Sequence, residues 1–185
     1  MSALSLIVLD DEGQFRLYAA EAELLRSQER PGSTRCVIDR TGQYYHLQAD
    51  PHGRLVLGRP LGPAEHHSLR QHLLRQQHLH PEAHRLRRRH CPTSREEFLE
   101  AIFEELALEG PGDDQPWTVR AGRQSWRCNG LRAVDAQVAR ASGPVVVTDP
   151  FGHAYRPRVP WNRALARRLR GHPLYVEILP EGAYA

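Results

Sequence analysis

Residues 80–92, HPEAHRLRRRHCP, gather three histidines, four arginines and a cysteine. Side chains of these types coordinate metals, grip anions, or solvate an ordinary helix face. His80 and His84 stand four apart, a spacing that puts both imidazoles on one face of a helix, as a metal site requires. Three features argue against that use. Pro81 is best placed as the first helical residue, which leaves His80 as a flanking cap. Cys91 is seven residues past His84, about 10 Å along a helix axis. Arg87 would lie between the ligands and repel a cation. Ligands from elsewhere, such as His66 or His67, would be needed, and no metal or cofactor is expected.

The stretch reads best as the solvated face of an ordinary helix, with an acidic protein partner next and nucleic acid after it. On a helix from 81 to 90, Leu79, Ala83, Leu86 and His90 make the inward side while Arg85, Arg87, Arg88 and Arg89 fan outward. The segment before it, 64–80, has a thin apolar stripe of Leu69 and Leu73, interrupted by His66, His72, Gln76 and His80. Such a helix gains little from burial alone. The next helix, 94–108, carries Glu96, Glu100 and Glu104. A tight turn at residues 90–94 would fold the two into a hairpin with exposed ion pairs, each worth about 0–1 kcal/mol. The expected contact surface is therefore Arg85, Arg87, Arg88, Arg89, His66 and His72, facing an acidic protein partner or a second copy of the chain. Nucleic acid is the alternative, through this surface and Arg163, Arg167, Arg168 and Arg170. No aromatic residue for base stacking lies between 59 and 97, and no nucleic-acid motif frames the cluster.

A third chemistry needs a thiol beside an imidazole. The candidates are Cys128 in WRCNG, His153 in DPFGHAY, and Asp149 as the orienting acceptor. GHAY resembles the histidine strand of transglutaminase-like and papain-like hydrolases, which implies a cysteine-dependent hydrolase. The nucleophile in those enzymes opens a helix, whereas Cys128 precedes Asn129-Gly130, read here as a strand turn. Asp149 is also explained as the cap of its own hairpin. Other chemistries find no support. Asp10-Asp11 and Asp113-Asp114 lie where acids favour turns. No serine sits in a nucleophile-elbow sequence.

All 25 basic residues are arginine, and the chain has no lysine. Schiff-base chemistry, lysine general bases and Walker A phosphate loops are thereby excluded. The usage itself is that of a GC-rich, bacterial genome, so arginine abundance alone is weak evidence for phosphate binding. Charge is laid down in blocks. From His66 to Arg95 seven arginines meet one acid, Glu82; Glu96 to Asp114 holds eight acids and no base; Gln115 to His172 has eleven arginines against Asp135 and Asp149. The apolar run that starts the chain stops at Leu9, and nothing later approaches a membrane span. Three widely spaced cysteines, Cys36, Cys91 and Cys128, suit a reducing compartment. These features predict a cytoplasmic protein with no membrane contact.

The elements that must position these residues are mostly strands. Asp-x-x-Gly recurs between apolar runs at Asp10, Asp39, Asp50 and Asp149, where aspartate caps a type I turn and glycine accepts positive φ. Strands are predicted near 4–9, 15–19, 34–39, 43–48, 54–58, 145–149, 153–158 and 174–179. Two further strand pairs are expected in VRAGRQSWRCNGLRAV, the second turning at Asn129-Gly130; VDAQVARAS is ambiguous. Helices are expected at 21–29, 64–80, 94–108, with Ser94 and Glu97 as a capping box, and 160–171. The fold class is α+β: antiparallel hairpins and a meander, a central helical segment, and a C-terminal helix-strand unit. The Gly/Pro/Asp-rich 109–116 either divides the chain into 1–110 and 111–185 or connects the helices back to one continuous domain. A small interaction or adaptor protein without catalysis is the expected function.

Overall fold

The structure, a computed structural model, describes residues 5–9, 14–27, 36–89, 94–110, 114–160 and 162–178. The fold is α+β, with twelve strands and five helices among these residues. In place of a single cut after residue 110, the chain forms two interleaved compact units. The first holds Met1–His78 and Cys91–Leu106, and the second holds Leu79–His90 and Ala107–Ala185.

The first unit is built on an antiparallel sheet of β1 (Leu6–Leu9), β2 (Phe15–Tyr18), β3 (Cys36–Asp39), β4 (Gln43–Ala49) and β5 (Leu55–Leu57), in the order β2-β1-β3-β4-β5, with β6 (Gly62–Pro63) on β4. Every residue of β1, LIVL, is apolar because both faces of the sheet are covered. Leu6, Val8, Tyr18 and Val37 pack with Leu24 of α1 (Glu21–Ser27). Ile7, Phe15 and Ile38 pack on the opposite side with Leu69 and Leu73 of α2 (His66–Leu79) and with Phe98, Ile102 and Phe103 of α3 (Arg95–Glu109). Ser94 begins α3 as expected, its Oγ accepting the Glu97 N–H at 3.2 Å.

The second unit has β7 (Leu86–Arg87), β8 (Pro116–Ala121), β9 (Gln124–Asn129), β10 (Val145–Thr148), β11 (Ala154–Arg158) and β12 (Leu174–Glu177), in the order β7-β12-β11-β10-β8-β9. Helix α4 (Gly130–Arg140) follows the β8-β9 hairpin and α5 (Arg163–Arg168) precedes β12. Without β7 and α5, the second sheet repeats the first: a hairpin, a helix, then three strands, in the same spatial order. The likeness reaches individual side chains. Asp39 Oδ1 accepts the N–H groups of Thr41 and Gln43, and Oδ2 accepts the Tyr45 hydroxyl. Asp149 Oδ1 accepts the N–H groups of Phe151 and His153, and Oδ2 accepts the Tyr155 hydroxyl. Two of the recurring Asp-x-x-Gly turns thus mark equivalent corners of two sheets. A third forms at Asp50, whose Oδ1 accepts the His52 and Arg54 N–H groups; the turn at Asp10 lies outside the described residues.

The two sheets differ in one face. In β8, Trp117, Val119 and Ala121 are buried while Pro116, Thr118 and Arg120 are exposed. Leu131 and Val134 of α4 cluster with Trp117 and Val119. The strand registers align Ile7, Leu9 and Ile38 of the first sheet with Thr118, Arg120 and Thr148 of the second. The face that is core in one unit is polar in the other.

Two sequence expectations are corrected. Asn129-Gly130 is not a hairpin turn: Asn129 is the N-cap residue of α4, and Gly130, at φ +72°, is its first residue. Leu131, Val134 and Val138 form a helical stripe against the sheet, which overrides the local Asn-Gly preference. Residues 81–89 are not a helix: 81–83 make a turn, and Leu86–Arg87 pair in parallel with β12, Leu86 opposite Tyr175; His90 lies outside the described residues. Burial of Leu86 in the second core and a ready strand partner outweigh a helix with almost no apolar face.

The paired corners make a differential prediction. Gly42 has φ +77°, and a Cβ there would meet Leu99 Cδ1 at 2.6 Å; Gly152 has φ +96° and nothing within 4 Å. Left-handed backbone alone costs a non-glycine residue about 1 kcal/mol or more, and crowding a packed core adds about 1–3 kcal/mol. Urea denaturation should therefore find Gly42→Ala clearly more destabilising than Gly152→Ala.

Candidate functional site

Of the four arginines from 85 to 89, Arg85, Arg87 and Arg88 place their guanidinium groups on groups of the second unit, and Arg89 is exposed. Arg88 is buried: its Nη2 stands 2.8 Å from Asp149 Oδ2 and its Nε donates to the Tyr155 hydroxyl at 2.9 Å. Arg85 Nη1 reaches both oxygens of Asp135, at 2.8 and 2.9 Å. Arg87 donates to the carbonyls of His84 and Leu86. The Arg89 N–H donates to Glu177 Oε2 at 2.6 Å, with its residue exposed. Arg85 is answered by Asp135 of α4, and Arg88 by Asp149 at the corner after β10. Residues 86 and 87 pair as a strand with β12, so the helix that the expected helical hairpin needs is not formed. His66 and His72 belong to the first unit. His66 packs edge-on against Phe98, with ring centroids 4.8 Å apart, and His72 Nδ1 lies 2.8 Å from the Ser68 carbonyl.

The thiol trio is not assembled. Cys128 is on β9 and His153 opens β11, three strands apart in the sheet order, or about 14 Å at the usual strand spacing. Burial raises the Cys128 thiol above its ordinary value, which withholds the nucleophilic thiolate. Asp149 caps its hairpin and receives Arg88, while His153 Nδ1 lies 2.8 Å from Glu177 Oε1. Of the histidines weighed as metal ligands, His80 Nδ1 is 3.7 Å from Glu82 Oε1 and His84 Nδ1 is 3.0 Å from Glu109 Oε2. Cys91 lies outside the described residues.

What the arrangement leaves for a partner is the open face of the second sheet. Thr118, Arg120, Ser125, Arg127, Arg156 and Arg158 are all exposed. The register pairs Thr118 with Arg127 and Arg120 with both Ser125 and Val146, and sets Arg156 opposite Val176, so one face carries them. Among the described residues no carboxylate projects from that face, and Arg120, Arg127, Arg156 and Arg158 have no ion-pair partner. The second unit holds fifteen arginines against eight carboxylates, a net charge of +7, and the first holds ten against fourteen, a net charge of −4. Sequence reasoning overlooked these four arginines because it sought clusters. Their signal is alternation: Thr118-x-Arg120 and Arg156-x-Arg158 carry the period of two that aims charges to one side of a strand. Arg163, Arg167, Arg168 and Arg170 follow on α5 and its C-terminal end, where Arg168 donates to the Leu79 carbonyl and approaches Glu82 at 3.4 Å.

Two measurements test this account. Arg88→Ala leaves the Asp149 carboxylate buried without its partner, and should destabilise the protein by about 3–5 kcal/mol in chemical denaturation. Arg89→Ala should change it by about 0.5 kcal/mol or less; equal effects would contradict the burial difference. The second measurement concerns pH. The hydrogen bond to Glu177, working against burial, raises His153 above its ordinary 6.5. Burial pushes Glu177 upward, but the hydrogen bonds from His153 and Arg89 hold it below its ordinary 4.5. A raised histidine supports the fold fully below 6.5 and loses that support as pH rises through the folded value. A lowered carboxyl supports the fold above 4.5 and loses that support as pH falls. Thermal melts should therefore peak between about pH 5 and 6.5 and decline toward pH 8, with the alkaline decline smaller in His153→Gln. No protein-family model, curated protein or solved structure matches this chain, so its own side chains carry the functional reading.

Proposed function

We propose that this is a bacterial, cytoplasmic interaction module without catalysis, which docks an acidic protein surface on the open arginine face of its second sheet. The supporting observation is Arg120, Arg127, Arg156 and Arg158 on one exposed sheet face, with no carboxylate among the described residues there. A face carrying one sign of charge attracts the opposite sign and speeds association. The sister sheet covers the equivalent positions with two helices, so this polar face departs from a purely structural role. Among the described residues no helix is long and apolar enough to cross a membrane. Cys36 and Cys128 are free thiols, in keeping with a reducing compartment. A protein partner is favoured over single-stranded nucleic acid because the face has no aromatic side chain on which bases would stack.

The test is a pull-down with the intact chain and with an Arg120→Glu, Arg127→Glu, Arg156→Glu, Arg158→Glu variant, whose substitutions are exposed and should leave the circular dichroism unchanged. The variant should lose the captured protein, and capture by the native chain should weaken as salt is raised. Undiminished capture by the variant would remove this face from consideration; capture abolished by nuclease would transfer the face to nucleic acid.

A further inference from the structure

The second unit also contains a groove of about 1060 Å³, at the upper end of the size range of organic-ligand sites. One wall is α4 from Arg132 to Ala139, with Ala141 just past its end. The other sides are residues 143–146, at the start of β10, residues 156–159, at the end of β11, and residues 170–173, before β12. Its lining is mostly apolar, with Val138, Ala139, Pro144, Val145 and Val159 contributing. Four arginines are among its lining residues, Arg132, Arg156, Arg158 and Arg170, and among the described residues none has an ion-pair partner. The single carboxylate in the lining, Asp135, is already engaged by Arg85 at 2.8 and 2.9 Å, by the Tyr175 hydroxyl at 2.7 Å and by His172 Nδ1 at 3.0 Å. The groove therefore combines an apolar interior with an unanswered positive charge.

Arg170 supplies an independent observation. It has φ +51°, the sole positive φ on a non-glycine residue among those described, and Gly171 follows at +84°. The left-handed turn closes α5: Arg170 follows the C-cap residue Leu169, and the Gly171 N–H donates to the Ala166 carbonyl, a helix end that glycine most often supplies. A glycine would turn this corner with less strain, yet an arginine occupies it and lines the groove.

We propose that this groove is a binding site for an amphipathic organic anion, an apolar body bearing a carboxylate or phosphate head. The body lies against Val138, Ala139 and Val145, and the head pairs with the guanidinium groups at the rim, Arg170 among them. Guanidinium pairs with either head in forked geometry. The site goes beyond the docking face described above. Ala139 and Arg170 lie outside that face, so the two readings can fail separately.

Isothermal titration of the intact protein, below micelle formation, tests the site with decanoate, decyl phosphate and decyltrimethylammonium. Saturable one-to-one binding of either anion, with no binding of the cation, is expected, and the stronger anion identifies the head. Ala139→Trp, which fills the groove from an exposed helix position, should weaken binding at least tenfold while leaving the pull-down intact. Arg170→Gly should weaken it several-fold without lowering the melting temperature, since it relieves the backbone while removing the charge. Absence of saturable anion binding, equal binding of the cation, or undiminished binding by both variants would overturn the assignment.

Discussion

The guanidinium of Arg88, enclosed with the Asp149 carboxylate and the Tyr155 hydroxyl, is the interaction on which the second unit's organisation turns. Its side chain is 2% exposed and that of Asp149 0%. A charge so far from water is tolerable only when it is paired and hydrogen-bonded. The pair therefore commits residues 79–89 to the C-terminal sheet, although the chain reaches them from a helix of the first unit. With that commitment come β7 beside β12, Arg85 on Asp135 and the Arg89 N–H on Glu177. The Asp149 corner is shared architecture, since Asp39 builds the same hydrogen-bond set with Tyr45. What the second unit adds is a cation on the outer oxygen of the aspartate.

Two sheets of one topology have been put to different uses, and the difference lies in a few positions of alternating strands. LIVL in β1 buries both its faces, and α1 on one side and α2 and α3 on the other supply the apolar cover. WTVRA in β8 buries only Trp117, Val119 and Ala121. A strand with one solvated face can carry arginine at no cost to the core, because successive side chains point to opposite sides. Charge follows the same partition: the first unit is acidic and the second strongly basic, although the whole chain is nearly neutral at +3.

The arginine cluster at 85–89 shows why composition misleads about surfaces. A run of bases reads as an exposed patch, because charged residues are mostly exposed. Here two of the four meet carboxylates fifty and sixty-one residues away in sequence, a separation no local pattern reveals. Asn129-Gly130 misleads in the same way. The dipeptide favours a hairpin turn in isolation, yet the apolar stripe that follows it has a sheet to pack on, and packing outweighs the turn preference.

Local physical chemistry was legible in the sequence wherever a structure closes on itself within a few residues. Asp39, Asp50 and Asp149 cap their turns, Ser94 caps its helix, and the amphipathic pattern of 94–108 gives α3. The α+β class follows from these together. Only the tertiary structure decided which strands pair across long separations, which arginines find acids, and which sheet face stays open. Those outcomes depend on loop closure and on competition among distant partners for the same burial, and neither leaves a fixed spacing along the chain.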